Sequence, residues 1–208
     1  MAEILRKKTQ NQGLVVVWKM EESLEELFSM LQLSADDLEK VDSYRLDNRK
    51  KEFLTSRCLI KQVINEEPII EYLDSGKPIL KNKDYRISIS HTKGYVAVAF
   101  SVGEYAGIDI EHPSERVARV YKRFVSEKEA EFIPENQKVE YYTLMWSLKE
   151  SMYKMYDRKN SIFNVNFICH PFNLNKEGNI SATFSFEDHK TMDFEYITSD
   201  DFFMVYHC

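Results

Sequence analysis

The stretch Trp146-Ser147-Leu148-Lys149-Glu150-Ser151-Met152-Tyr153-Lys154 lies in an unbroken run, 138–157, whose pattern predicts one long helix. Glu150 and Lys154 are four residues apart, so a helix presents them on the same face. This spacing alone is typical of an exposed ion pair. Because large apolar side chains surround the pair, we expect the helix to be buried on several sides and both charged groups to need partners.

Two more carboxylates precede this helix in the chain. The segment 106–111 predicts a strand, and Asp109 and Glu111 lie on one face of it because side chains alternate along a strand. Neighbouring carboxylates repel unless water or a cation separates them, and Mg²⁺ prefers oxygen ligands. A solvated strand end is the alternative for this pair alone. With Glu150 and Lys154 added, the set suits a metal site for a phosphate ester.

The remaining chain mixes helices with strands, and its tail alternates between apolar and polar residues as antiparallel strands do. This mixture predicts the fold class α+β, with the tail forming a meander. The other predicted elements are strands at 14–18, 86–90, 95–100, 162–167, 180–186, 192–197 and 202–206, a turn at 74–78, and helices at 21–32, from Ser34, at 47–65, at 114–124 and from Ser126.

Bulk properties exclude several classes of protein. The 208 residues are enough for one domain or two small halves, and the net charge of −6 does not suit a nucleic-acid binder. The apolar run 14–18 is too short to be a membrane span or a signal segment. An odd count of three cysteines without a C-x-x-C motif argues against a disulfide framework or a structural zinc site. We therefore expect a cytoplasmic protein.

Two motifs in this order resemble those of the 4′-phosphopantetheinyl transferases of the surfactin-synthetase-activating type. The signatures of that family are G-[VI]-D and, further along the chain, W-[ST]-x-K-E-[AS]-x-x-K. Here they stand at 107–111 and 146–154. Three shorter elements follow the order of the family: the basic segment 49–57, Gly-Lys-Pro at 76–78, and Ser-Ile-Ser-His-Thr at 88–92. The resemblance covers about residues 45–160.

This resemblance implies a pseudo-dimer of two similar α+β halves with coenzyme A in the cleft between them. The N-terminal half, 1–102, would contact the nucleotide, and the C-terminal half, 103–208, would carry the metal and catalytic motifs. The implied enzyme is a holo-[acyl-carrier-protein] synthase. It moves the 4′-phosphopantetheine arm of coenzyme A to a serine of an apo carrier protein and leaves adenosine 3′,5′-bisphosphate. Fatty-acid, polyketide and nonribosomal-peptide carriers all remain open.

The resemblance also implies roles for individual residues. Asp109, Glu111 and Glu150 would coordinate Mg²⁺, although the same oxygen set accepts Mn²⁺. Glu150 would take the proton of the acceptor serine, directly or through a metal-bound water, and Lys154 would stabilise the departing phosphate. Contacts to coenzyme A are expected from Arg49 or Arg57 at the 3′-phosphate, from Lys77 at the nucleotide, from Ser90 and His91 at the phosphates, and from Lys154. The alternatives are a solvated helix for the two arginines, a solvated turn for Lys77 and a structural turn histidine for His91.

A basic stripe follows the metal strand. Arg116, Arg119 and Arg123 recur at i, i+3 and i+7, which places them on one helix face. Because carrier proteins are typically acidic helical bundles, we hypothesise that this stripe docks the acidic helix of the carrier. A solvated charged face is the alternative. The two-half architecture predicts a monomer.

Two other functions would use the same residues. A metal-dependent phosphodiesterase or pyrophosphatase would need these carboxylates and this lysine but no acceptor protein. A binding module without activity would keep the scaffold for coenzyme A or a carrier. The intact set of Asp109, Glu111, Glu150 and Lys154 argues against the second function.

Overall fold

The computed structural model of the chain describes residues 3–156, 160–187 and 189–208, and the predicted α+β class is confirmed. The first part of the chain contains β1 (Glu3–Lys8), β2 (Leu14–Lys19), α1 (Leu24–Ser29), α2 (Ala35–Ser43), α3 (Asp47–Ile64), β3 (Ile70–Tyr72), β4 (Pro78–Leu80), β5 (Arg86–Thr92) and β6 (Tyr95–Ser101). The second part contains β7 (Gly107–Glu111), α4 (Glu115–Val120), α5 (Glu127–Ala130), α6 (Lys138–Tyr156), α7 (Phe163–Asn166), β8 (Phe167–Cys169), β9 (Glu177–Phe184), β10 (Lys190–Thr198) and β11 (Phe203–His207).

The first part folds around an antiparallel sheet with the strand order β1-β2-β6-β5. Helix α3 packs on this sheet because its apolar residues recur on the inner face, as its sequence predicts. It ends at Asn65, whose φ of 59° is the left-handed conformation that commonly stops a helix. The core between them contains Val16, Trp18, Leu54, Ile60, Val98 and Phe100.

The second part folds around an antiparallel sheet with the order β7-β11-β10-β9-β8. Its last four strands are consecutive neighbours, so the predicted meander is confirmed. Helix α6 crosses this sheet and buries apolar side chains along most of its length. That core includes Leu144, Leu148, Met152, Phe184, Phe194 and Val205.

The two sheets meet along β5 and β7, and side chains rather than backbone groups bridge this seam. Alternate N–H groups of β7 and the residue after it donate to hydroxyls on β5, while β7 pairs with β11 through its backbone. The donor–acceptor pairs are Ile108 N to Ser88 Oγ at 3.2 Å, Ile110 N to Ser90 Oγ at 3.3 Å and His112 N to Thr92 Oγ1 at 3.0 Å. These bonds fix β7 against the first sheet and so orient its acidic residues.

One predicted strand is wrong. The segment 162–167 was expected to be extended, but α7 occupies most of it and β8 begins only at Phe167. The rings of Phe163 and Phe167 lie 5.2 Å apart, a contact that the i, i+4 spacing of a helix provides. Asn166 also accepts the N–H of Ile162 through its side chain, which stabilises the turn. The alternation was too short to separate a strand from a single helical turn.

Other differences concern boundaries. Strand β1 and the β3–β4 hairpin were not predicted, and helix α1 is shorter than 21–32. Residue 157, the last of the predicted long helix, lies outside the described residues. Within the described ranges, no helix combines the length and apolar character that crossing a bilayer requires.

Candidate active site

Helix α6 presents one face to strand β7. Trp146, Glu150 and Lys154 recur every four residues, so they lie on that face in successive turns. The two elements approach closely at Gly107, where a Cβ atom would lie 2.5 Å from both Ser151 O and Met155 Cγ. The glycine of the first motif is therefore required by packing of the strand against the helix.

Asp109 and Lys154 form the centre of the site. The Lys154 ammonium donates to Asp109 Oδ1 at 2.8 Å, to Ile108 O at 2.9 Å and to Ser90 Oγ at 3.0 Å. The Ser90 hydroxyl in turn donates to Asp109 Oδ1 at 2.9 Å. The Lys154 ammonium therefore donates all three of these hydrogen bonds to β5 and β7. The predicted phosphate ligand, Lys154, lies beside the predicted metal ligand, Asp109.

Glu111 and Glu150 complete the acidic cluster. Burial and the nearby Asp109 carboxylate raise the pKa of Glu111 to about 7. Burial, Asp109 and Glu111 raise the pKa of Glu150 to about 7 as well, against the opposing effect of Lys154. Burial is the largest cause of both shifts, and repulsion from the neighbouring carboxylates adds to it. The Trp146 indole N–H donates to Glu111 Oε1 at 3.3 Å.

The chemistry of this cluster fits a divalent cation. Asp109 is buried, and its Oδ2 is one of three buried side-chain polar atoms in the described ranges that have no hydrogen-bond partner. An oxygen-seeking cation would satisfy this atom and relieve the repulsion between the carboxylates. As the side chains of the described residues stand, no three His, Cys, Asp or Glu groups already form a complete metal-binding set.

A cavity of about 270 Å³ lies in the first part of the chain, next to this cluster. Ser90 and His91 are consecutive on β5, so one faces Asp109 and the other faces the cavity. A nitrogen of Arg49 lies 2.9 Å from His91 Nε2 and donates to Glu52 at 2.7 Å. Burial lowers the pKa of His91, and Glu52 opposes this effect.

Arg57 closes the floor of the same cavity. Its guanidinium is almost fully buried, stacks 3.4 Å from the Phe53 ring centroid and donates to Asp37 Oδ1 at 2.9 Å. It also donates to the Tyr72 hydroxyl at 3.1 Å. The structure thus brings Arg49, Arg57 and His91 together as expected, and it adds aromatic lining from Tyr44 and Tyr72 that sequence reasoning missed. No local pattern marks these two tyrosines.

Lys77 lies apart from that cavity. Its ammonium donates to Met155 O at 2.7 Å, near the last turn of α6, and its side chain helps to line a smaller cavity of about 140 Å³ beside Lys154. A lysine at the carboxyl end of a helix is favourable for the helix dipole. The lysine thus links the turn between β3 and β4 to helix α6, a contact that the sequence did not predict.

The arginine stripe lies beyond Glu111. Arg116, Arg119 and Arg123 are exposed, but α4 ends at Val120 and a 3₁₀ turn carries Arg123. Arg116 and Arg123 line a cavity of about 360 Å³ together with Glu111 and Trp146, and Arg119 is not part of that lining. The basic surface therefore borders the acidic cluster.

An acidic cluster and a lysine beside a cavity lined by arginines have the chemistry that suits a phosphate-containing substrate. Residues 105–203, a little under half of the chain, match the family model of the 4′-phosphopantetheinyl transferase superfamily. The matched segment contains both motifs and runs from just before β7 into β11. No curated protein sequence matches the chain. The family match supports a transferase of phosphopantetheine that uses coenzyme A and acts on carrier proteins.

Proposed function

We propose that this protein is a 4′-phosphopantetheinyl transferase of the surfactin-synthetase-activating type, acting as a holo-[acyl-carrier-protein] synthase. One observation carries the proposal: β7 and α6 bring Asp109, Glu111, Glu150 and Lys154 together next to a cavity lined by basic side chains. The substrate is coenzyme A, and the acceptor is a serine of an acyl, peptidyl or aryl carrier protein. Fatty-acid biosynthesis in the cytoplasm is the proposed setting.

The two halves have separate tasks in this proposal. The N-terminal half, 1–102, binds the nucleotide of coenzyme A through Arg49, Arg57 and His91, and Ser90 contacts the phosphates. The C-terminal half, 103–208, supplies the acidic cluster. Lys77 contributes at the boundary, where its side chain lies beside the cavity that Lys154 also lines. Because one chain supplies both sides of the cleft, the proposed enzyme is a monomer.

Asp109, Glu111 and Glu150 would hold Mg²⁺ or Mn²⁺. When bound, this ion supplies positive charge to the pyrophosphate of coenzyme A. The unsatisfied Asp109 Oδ2 and the mutual repulsion of the carboxylates support this assignment.

The protein side chains then carry out a displacement. Glu150 takes the proton of the acceptor serine, whose oxygen attacks the β-phosphorus of coenzyme A. The bond from that phosphorus to the bridging oxygen breaks, and adenosine 3′,5′-bisphosphate leaves with the negative charge. Lys154 would neutralise part of that charge. Positioning and charge neutralisation supply most of the rate enhancement.

The test is an intact-mass measurement. An apo acyl carrier protein and an apo peptidyl carrier protein are each incubated with this protein, coenzyme A and Mg²⁺. We expect a mass gain of one phosphopantetheine, its loss with EDTA and its return with excess Mg²⁺. Consumption of coenzyme A without any carrier would favour a hydrolase, and binding of coenzyme A without transfer would favour a module without activity. Either result would overturn the proposed function.

The carrier docks on the arginine stripe in this proposal. Exposed arginines beside the acidic cluster would attract the acidic helix of the carrier and accelerate its encounter with the site. We expect Arg116→Glu with Arg119→Glu to raise the KM for carrier roughly tenfold at low salt and to leave the KM for coenzyme A unchanged. A matched control with the same charge change is Lys8→Glu with Arg86→Glu, both exposed in the other half. Equal KM values for the two double variants would exclude docking on the stripe.

A further inference from the structure

The acidic residues of β7 each receive a hydrogen bond from α6. Lys154 donates to Asp109 at the start of the contact, and Trp146 donates to Glu111 two turns earlier on the same helix face. Glu150 lies between these two donors in the sequence of the helix. The two donors on helix α6 therefore flank Glu150, the residue proposed as the base, and each of them binds one carboxylate of β7.

The Trp146 ring is itself fixed by aromatic packing. Its centroid lies 5.2 Å from that of Phe124 in an edge-on arrangement and 5.7 Å from that of Phe163. The indole N–H is a hydrogen-bond donor and cannot accept, so a carboxylate oxygen is a suitable partner for it. A rigid aromatic side chain with a single donor suits the orientation of an acidic group.

Glu111 needs such a donor. Its carboxylate is largely withdrawn from water and faces Asp109, which repels it, while Arg116 and Lys154 are the cations close enough to attract it. The Trp146 contact engages Oε1 and leaves the other carboxylate oxygen for a further partner. Without the indole, repulsion from Asp109 would favour rotation of Glu111 farther into the cavity that it already lines with Arg116 and Arg123.

We propose that Trp146 is a positioning residue that fixes Glu111 through its indole N–H, so that Glu111 is ready to contribute an oxygen ligand beside Asp109. This inference rests on the proposed function, because the cation in question belongs to that reaction. It assigns the tryptophan of the second motif to the metal side of the site rather than to packing alone. Outer partners of metal ligands typically change metal affinity by about 10–100-fold when they are removed.

Trp146→Phe is the decisive variant, because it keeps an aromatic ring and removes the N–H. Phe163→Leu is the matched control, because it disturbs the same aromatic cluster and leaves the N–H in place. Both variants and the wild-type protein are titrated with Mn²⁺ by calorimetry, and their thermal unfolding is compared. Quenching of tryptophan emission by Mn²⁺ in the wild type and in Phe163→Leu is a second readout of whether the ion lies near Trp146, since the other tryptophan, Trp18, is buried in the first core.

We expect Trp146→Phe to weaken Mn²⁺ binding by at least about tenfold and to lower kcat for transfer similarly, with little change in the KM for carrier. Phe163→Leu is expected to bind Mn²⁺ nearly as the wild type does. Emission quenching should be strong both in the wild type and in Phe163→Leu, because both keep Trp146.

Three outcomes would overturn the inference. Equal Mn²⁺ affinities in wild type and Trp146→Phe would show that the N–H does not position a ligand. Equal losses in Trp146→Phe and Phe163→Leu would assign the effect to packing. A wild-type protein that neither binds Mn²⁺ nor modifies a carrier would overturn the proposed function along with the inference. If the wild type does both and Trp146→Phe behaves like it, only the role proposed for Trp146 is overturned.

Discussion

Asp109→Asn is expected to lower the rate of phosphopantetheine transfer by roughly a thousandfold, because a carboxylate that binds a catalytic cation contributes several kcal/mol of charge stabilisation. The amide keeps the shape of the side chain but loses its negative charge. Its oxygen can still accept from Lys154 and Ser90 as Oδ1 does now. The loss is therefore expected in kcat and in the apparent affinity for Mg²⁺, not in folding.

The control for this variant is Asp193→Asn. Asp193 also accepts a serine hydroxyl, that of Ser181, but it lies exposed on β10 away from the acidic cluster. Carrier modification is followed by intact mass at several Mg²⁺ concentrations, and thermal unfolding is measured for both variants. Transfer by Asp109→Asn at more than about a tenth of the wild-type rate would contradict a ligand role for Asp109.

The elements that carry the chemistry could be predicted because their signals are local. A spacing of four residues in a helix places Glu150 and Lys154 on one face, and a spacing of two in a strand does the same for Asp109 and Glu111. These patterns depend only on backbone geometry. The structure confirms the helix and the strand that contain them.

The partners of the site residues could not be predicted, because they depend on which distant elements meet. Arg57 donates hydrogen bonds to Asp37 on α2 and to Tyr72 on β3, and no local sequence pattern predicts either contact. The same limit applies to Lys77, whose bond to Met155 joins residues far apart in the chain. The position of a basic residue in the sequence therefore does not tell whether its side chain binds a ligand or another part of the protein.

Lys149 illustrates the same limit inside the second motif. It stands next to Glu150, but a helix turns by about 100° per residue, so its side chain points away from the acidic cluster. The structure buries it completely, and its ammonium lies 2.7 Å from Glu129 Oε1 and also donates to Phe124 O. Burial lowers the pKa of Lys149, and Glu129 opposes that shift. The motif therefore combines one lysine for the fold with another for the site.

Lys149→Ala is expected to reduce the free energy of unfolding by about 3–5 kcal/mol, because removing one partner leaves the Glu129 carboxylate buried without its counter-charge. Urea unfolding measures this loss. The control is Lys138→Ala on the same helix, whose ion pair with Glu135 is exposed and screened by water and is therefore expected to contribute little to stability. Similar losses in the two variants would mean that the buried pair does not stabilise the fold.

Replacing both partners by apolar residues is not expected to rescue stability, although such exchanges are often neutral for buried ion pairs. Glu129 has further tasks here: its Oε2 accepts the N–H of Ser126 at 2.7 Å in a capping box, and its Oε1 accepts the N–H of Cys169 at 2.8 Å. In Lys149→Met with Glu129→Leu both backbone donors lose their acceptor, at a cost of about 1–3 kcal/mol for each one that stays buried. A double variant as stable as the wild type would show that Glu129 serves only its lysine; the contacts predict instead that it ties α5 and β8 to the helix that carries Glu150.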